Sequence, residues 1–191
     1  KLLKLDVVAY ADPRDCKKIM EQFGDRVGHY KDHVKIGGDK IFLDGSPQGR
    51  TAWMRQPYEG EADYRGYPVL TDEQVYGRLK SALERNVQIL AHCNGDQAAE
   101  QYLSVMERLE RETGRRLRRP VMIHAQLVGR DQLPRLKALG MIPSFFVAHV
   151  YHWGEVHVKN FGLERAEHIS PAGTAATLGI PFTFHQDAPV I

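Results

Sequence analysis

The sequence predicts an α/β fold with parallel strands, a partial (β/α)8 TIM-barrel of about six βα units, and three observations carry that reading. Six short, near-continuous apolar runs alternate with stretches of helical periodicity, the pattern of a parallel sheet covered by helices. Several runs deliver a polar side chain at their end, as a barrel does when its site is assembled from the C-terminal ends of many strands: His92, His124, His185 and Asp187. No GxGxxG fingerprint follows a strand, which counts against a Rossmann-type open sheet, the first alternative. A whole barrel takes about 250 residues, so 191 residues with six strands amount to roughly three quarters of one.

Taken in order, Leu2 to Tyr10 reads as a mostly buried strand, and Asp12-Pro13 opens a helix whose apolar positions are Cys16, Ile19, Met20 and Phe23. Gly37-Gly38 introduces a strand from Lys40 to Asp44, and a loop crowded with Gly, Pro and aromatic residues runs from Gly45 to Leu70. Thr71 and Gln74 form a capping-box signature ahead of a helix with Val75, Leu79 and Leu83 on one face. The strand Val87 to Ala91 ends at His92 and feeds, after Asp96, a helix with Ala98, Tyr102, Val105, Met106 and Leu109 inward. Val121 to Ile123 is the next strand, followed by a helix with Leu133, Leu136 and Leu139 that stops at Gly140. Ile142 to Ala148 reads as a strand and HVYHWGEVHVKNFG as a polar and aromatic loop excursion. Ser170-Pro171 caps a helix that Gly179 stops, and Phe182 to Phe184 is the last strand.

Composition narrows the function. With 42% hydrophobic and 26% charged residues the chain is ordinary for a globular domain, and its net charge of +2 gives no field to recruit nucleic acid or an anionic membrane. The one basic cluster, five arginines between Arg111 and Arg119, reads as a solvated helix C-terminus. Cys16 and Cys93 form neither a CxxC metal pair nor a disulfide framework, which suits a reducing cytoplasm. No apolar run reaches the length of a membrane span, and the N-terminus is not a signal peptide. The chain starts in a strand-like run at Lys1 without a methionine and stops just after Asp187, so the expectation is an internal piece of a longer protein.

KIFLDGSPQGRTAWM, ILAHCNGD, VMIHAQ, PSFFVAHVYHWGE and SPAGTAATLGIPFTFHQDAPV, in this order between Gly37 and Ile191, together resemble the metal-dependent amidohydrolase superfamily. The branch most similar is the "amidohydrolase 3" group that includes N-substituted formamide deformylase. The resemblance implies a barrel with a small β-sandwich built from the chain termini. Residues 1–191 would then hold the third to the eighth strands, with the first two strands and the sandwich absent. It implies a hydrolase of carbon–nitrogen bonds other than peptide bonds, with zinc as cofactor, one or two ions in the intact protein, and a small amide-type substrate.

Carried over by motif, Lys40 matches the family's often carboxylated lysine, His92 and His124 its fifth- and sixth-strand ligands, and Asp187 its eighth-strand aspartate, which is both ligand and general base. Zinc lowers the pKa of a bound water from about 15.7 to about 7 and polarises a carbonyl. A lysine ammonium cannot bind a metal, whereas a carbamylated lysine offers oxygen. The family's first-strand His-x-His pair has no counterpart N-terminal to Lys40, so the piece by itself is expected to be inactive, and its open strand edges invite self-association.

Other readings stand beside these. Lys40 also fits a surface or salt-bridged lysine, and His185 a residue supporting the site or the core. His149 and Trp153 suit either substrate contact or loop packing. Arg50 suits either substrate binding or a salt bridge to Asp44. Cys93 reads as a small buried side chain. For the protein as a whole the alternative is a non-catalytic binding or regulatory protein on the same scaffold.

Overall fold

The computed structural model describes residues 3–188; Leu2 of the first predicted strand and Pro189 and Val190 of the last motif lie outside them. In chain order the elements are β1 (Val7–Ala11), α1 (Cys16–Phe23), β2 (Val34–Phe42), α2 (Asp72–Glu84), β3 (Gln88–Cys93), α3 (Asp96–Thr113), β4 (Val121–His124), α4 (Leu133–Ala138), β5 (Ile142–Phe145), α5 (Ala148–Phe161), α6 (Leu163–Ala166), α7 (Ala172–Thr177) and β6 (Thr183–Phe184). The strands lie side by side in sequence order, β1 to β6, and every neighbouring pair is parallel. A Rossmann sheet reverses its strand order at a switch point. Here the order never reverses, and the sheet curls as a partial barrel.

Alternation along the strands separates two faces. Ile41, Ile89, Ala91, Cys93 and Met122 point to the helices and form the core with Val75, Leu79 and Leu83 of α2, Tyr102, Leu103, Met106 and Leu109 of α3, and Leu133 and Leu136 of α4. Lys40, Leu90, His92 and Ile123 occupy the intervening positions on the concave face and are only half-buried. Thr71 accepts from Gln74 N at 3.3 Å and donates its own N–H to Gln74 Oε1 at 2.9 Å, the capping box read from sequence. Gly114, at φ 64°, terminates α3 in the left-handed conformation that a Cβ disfavours.

Several expected boundaries move. β1 runs from Val7 to Ala11 rather than from Leu2 to Tyr10, and it is not mostly buried: it is the edge strand of the sheet, with Val7 and Val8 exposed. β2 begins at Val34, not Lys40, because the two glycines lie within it: Ala9 pairs with Ile36 and Tyr10 with Gly38, leaving Gly37 as the extra residue of a bulge. A Cβ on Gly38 would stand 1.9 Å from Gln88 O, so only glycine permits the β2–β3 approach. The expected loop excursion after β5 is the 14-residue helix α5, and β5 stops at Phe145 rather than Ala148. Gly154 and β-branched Val150, Val156 and Val158 are weak helix formers. Packing overrides them: His149, His157 and Phe161, eight and then four residues apart, are buried on one face.

The stretch 45–70 is a loop throughout and is ordered by its neighbours. Ala52, Met54 and Tyr58 build a second small core with Phe161. Asn160 donates to Pro47 O at 3.0 Å, and Gly95 has room for Trp53 O only because it has no Cβ.

Candidate metal centre

The C-terminal ends of β3, β4 and β6 bring three histidines into a row. Phe42 is level with His92, His92 with Ile123, His124 with Phe145, and Phe145 with Phe184, so His185 follows one residue beyond the same rim. His92 Nδ1 lies 3.1 Å from His124 Nε2, and His124 Nδ1 lies 3.2 Å from His185 Nε2. The row is anchored at both ends: His92 Nε2 is 3.1 Å from Gly45 O, and His185 Nδ1 is 2.9 Å from Ser144 Oγ.

Alternation alone would not bring His124 there. It sits two residues after Met122 and level with Cys93, both in the helix-facing core. Its φ of +70°, followed by Ala125 at +46°, turns the chain at the strand end so that its ring meets His92. Left-handed backbone at two successive non-glycine residues costs energy and clusters at functional sites.

Burial keeps the rings neutral. Desolvation, followed by the charges of its neighbours, holds His124 down to about 2, and desolvation also lowers His92 and His185. Lys40 lowers His92, His124 and His185 through its charge, while Asp187 raises His92, His149 and His185, so both residues lie within charge reach of the row. The Lys40 ammonium sits 5.2 Å over the Phe42 ring, and that ring is 5.3 Å from His92. His149, from α5, stacks against His124 with 6.3 Å between ring centroids.

Asp44 supports this rim from below. It is buried and accepts from Trp53 N at 3.0 Å, Asn94 N at 3.0 Å and Gly95 N at 2.7 Å, which ties the end of β2 to the turn after His92. Burial pushes its carboxyl up to about 7 against the pull of those three N–H groups. Arg50 does not pair with Asp44: its guanidinium bridges to Glu61 at 3.1 Å and donates to Glu59 O at 3.2 Å. Trp153 is half-buried on α5. Among the described residues neither Arg50 nor Trp153 hydrogen-bonds to the histidine row.

Can these residues hold a metal? Among the described residues no group of three or more His, Cys, Asp or Glu is arranged to hold an ion. The chain does supply a pair. His92 Nε2 lies 3.1 Å from both Gly45 O and Asn94 Nδ2: where it accepts from Asn94, Nδ1 carries the proton and donates to His124 Nε2, and where it donates to Gly45 O while His124 donates Nδ1–H to His185, the nitrogens left bare are His92 Nδ1 and His124 Nε2. These two face each other at 3.1 Å. In the second arrangement the two lone pairs repel unless something positive lies between them, and two nitrogen ligands on one tetrahedral zinc stand about 3.3 Å apart. The pair therefore fits half of a coordination shell, with its outer hydrogen bonds in place.

A family model described as "Amidohydrolase family" matches residues 2–191. The chain belongs to the amidohydrolase family. It is 30% identical over 162 residues to the YtcJ protein of Bacillus subtilis (strain 168), a match covering 83% of this chain and 29% of that protein. It is 28% identical over 131 residues to "Protein LONG AFTER FAR-RED 3" of Arabidopsis thaliana, covering 69% of this chain and 22% of that one. Among solved structures, an uncharacterized metal-dependent hydrolase from Pyrococcus furiosus superposes with a TM-score of 0.83 at 27% identity, over 98% of this chain and 38% of that one. Its counterpart from Pyrococcus horikoshii OT3 gives 0.81 at 27% identity, over 98% and 37%. The chain thus spans well under half the length of each of these relatives. No helix among the described residues is long and apolar enough to cross a membrane, and both cysteines are free.

The partners of these histidines, Gln126, Ser144 and Asn94, stand in the motifs above without a role of their own; each is a polar residue within two positions of a strand end, the signal by which sequence marks them.

Proposed function

We propose that the protein is a metal-dependent hydrolase of carbon–nitrogen bonds other than peptide bonds, with N-substituted amides or formamides as substrates. We read it as a member of the formamide-deformylase-like branch of its family, with zinc as the ion. The observation that carries this reading is the pair of imidazole nitrogens, His92 Nδ1 and His124 Nε2, facing each other at 3.1 Å at the ends of adjacent strands. Zinc, when bound, supplies a water acidic enough to ionise near neutral pH and a Lewis acid for a carbonyl.

The chain's own residues do the rest. His92 and His124 are held neutral by burial, so neither must lose a proton before acting as a ligand. Lys40, once carboxylated, adds oxygen to the shell, and Asp187 adds its carboxylate. Asp187 then takes the proton of the attacking water and returns it to the departing nitrogen. His149 and Trp153 on α5 meet the substrate, together with Arg50 from the 45–70 loop. The family's first-strand His-x-His pair completes the shell, so the 191 residues alone are read as inactive.

Metal analysis of the intact protein tests this, together with a screen of N-acyl and N-formyl compounds. About one or two zinc ions per protein, lost in His92→Ala, and hydrolysis of some of the screened amides are expected. Intact protein without bound metal would remove the proposal in favour of a non-catalytic scaffold. Full activity of the 191-residue chain with added zinc would overturn the need for further ligands.

A further inference from the structure

Behind the histidine row lies a second buried polar group, of which the chemistry above uses only His149. Gln126, two residues after His124, places its side-chain amide between two rings of α5: Oε1 is 2.7 Å from His149 Nδ1 and Nε2 is 3.0 Å from His157 Nε2. His149 and His157 are two helical turns apart, and burial lowers both to about 4, so both rings are neutral at pH 7. A neutral imidazole carries one N–H, and an amide has one donor end and one acceptor end. The three groups can satisfy one another in only two ways, related by a half-turn of the amide.

With the amide oxygen on His149, His149 donates from Nδ1 and His157 accepts at Nε2. The proton of His157 is then on Nδ1, which is buried without a partner. With the amide nitrogen on His149, His157 donates from Nε2 to the oxygen, its Nδ1 is a bare lone pair, and no N–H is stranded. Stranded buried donors are rarer than stranded acceptors. The second arrangement also puts the proton of both rings on Nε2.

We propose that Gln126 donates its amide N–H to His149 Nδ1 and so fixes His149 as the Nε2–H tautomer, which offers that N–H to the carbonyl oxygen of an amide substrate. The placement suits the role. His149 stacks on His124, lies 4.3 Å from Phe146 between centroids, and is within charge reach of Asp187 and His185. A donor there acts where negative charge develops on the carbonyl oxygen, the position at which fixed hydrogen bonds assist acyl transfer most. Gln126 is a positioning residue and His149 the group that touches substrate. The catalytic half of this inference rests on the hydrolase reading, whereas the hydrogen-bond arrangement does not.

Nitrogen-15 NMR of the labelled, metal-free chain reads the arrangement directly through the coupling transmitted across an N–H···N hydrogen bond. Coupling between Gln126 Nε2 and His149 Nδ1 is expected, with both rings as Nε2–H tautomers. Coupling to His157 Nε2 instead, or to neither ring, overturns the arrangement. In the intact protein, Gln126→Glu replaces the donor with a carboxylate that only accepts, which forces a proton onto His149 Nδ1. A drop in kcat of about tenfold to a hundredfold with KM little changed is expected, matched by His149→Phe. Unchanged kcat in both variants overturns the positioning role. Absence of hydrolysis in the unaltered protein would instead sink the proposed function, with the NMR coupling still deciding the arrangement.

Discussion

The two faces of the same six strands behave as different materials. On the helix-facing side Ile41, Ile89, Ala91, Cys93 and Met122 are buried by α2, α3 and α4, and the buried Asp39, paired with Arg85, is the charged exception in register with Ile89. On the concave side Lys40, Phe42, Leu90 and His92 alternate with them residue by residue and stay partly open, and the strand ends carry a row of imidazoles whose facing nitrogens lie 3.1 and 3.2 Å apart. The first face stores stability. The second holds neutral bases against one another, at a cost in backbone strain at His124 and Ala125. A parallel sheet can afford that division because each strand contributes to both faces through a period of two.

Substitutions should separate the two faces. The largest effect belongs to the concave rim and to activity: Asp187→Asn in the intact protein should cut hydrolysis by about 10²–10⁴-fold, with no change in thermal midpoint. Unchanged turnover would remove Asp187 from its role. Next is the helix-facing side. Leu79→Ala in α2 should cost about 2–5 kcal/mol in denaturant unfolding, and a loss well below 1 kcal/mol would mean that this face is not the main store of stability.

Acid should attack the polar rings selectively. The folded pKa values of His124, His149 and His157 lie below that of an exposed histidine, so between about pH 6.5 and their folded values the unfolded chain binds protons that the native chain does not. Stability is therefore full above about pH 6.5 and falls as pH drops, by about 2 kcal/mol per ring at pH 5. Urea unfolding at pH 7 and pH 5 measures this, and equal stabilities would contradict neutral burial of the rings. Smaller effects of opposite sign, each about 1 kcal/mol, are expected from Ala125→Gly, which relieves a left-handed residue on the rim, and Thr71→Ala, which removes the α2 cap. If Ala125→Gly destabilises, the rim is not strained.

Much of the fold was legible because it rests on local regularities. The apolar runs at Val87, Val121 and Ile142 marked strands, Thr71 and Gln74 marked a cap, and the glycines at 140 and 179 sit where helices stop. The reading failed where tertiary contacts outweigh local preference. Gly37 and Gly38 looked like a strand entrance but lie within β2, Gly37 as the bulge residue opposite β1 and Gly38 where the backbone of Gln88 leaves no room for a side chain. The α5 segment looked like a loop because its propensities are weak, although His149, His157 and Phe161 lie on one helical face.

The sequence by itself determined that strand ends deliver His92, His124, His185 and Asp187, because a run of apolar residues and the polar residue that closes it are adjacent in the chain. Only the tertiary structure decided which ring nitrogens face each other, that His185 and Ser144 back His124, and that Gln126 bridges His149 and His157. Those pairings depend on the register between strands and on the left-handed turn at His124. Both are set by the packing of residues far apart in the chain, which no local pattern records.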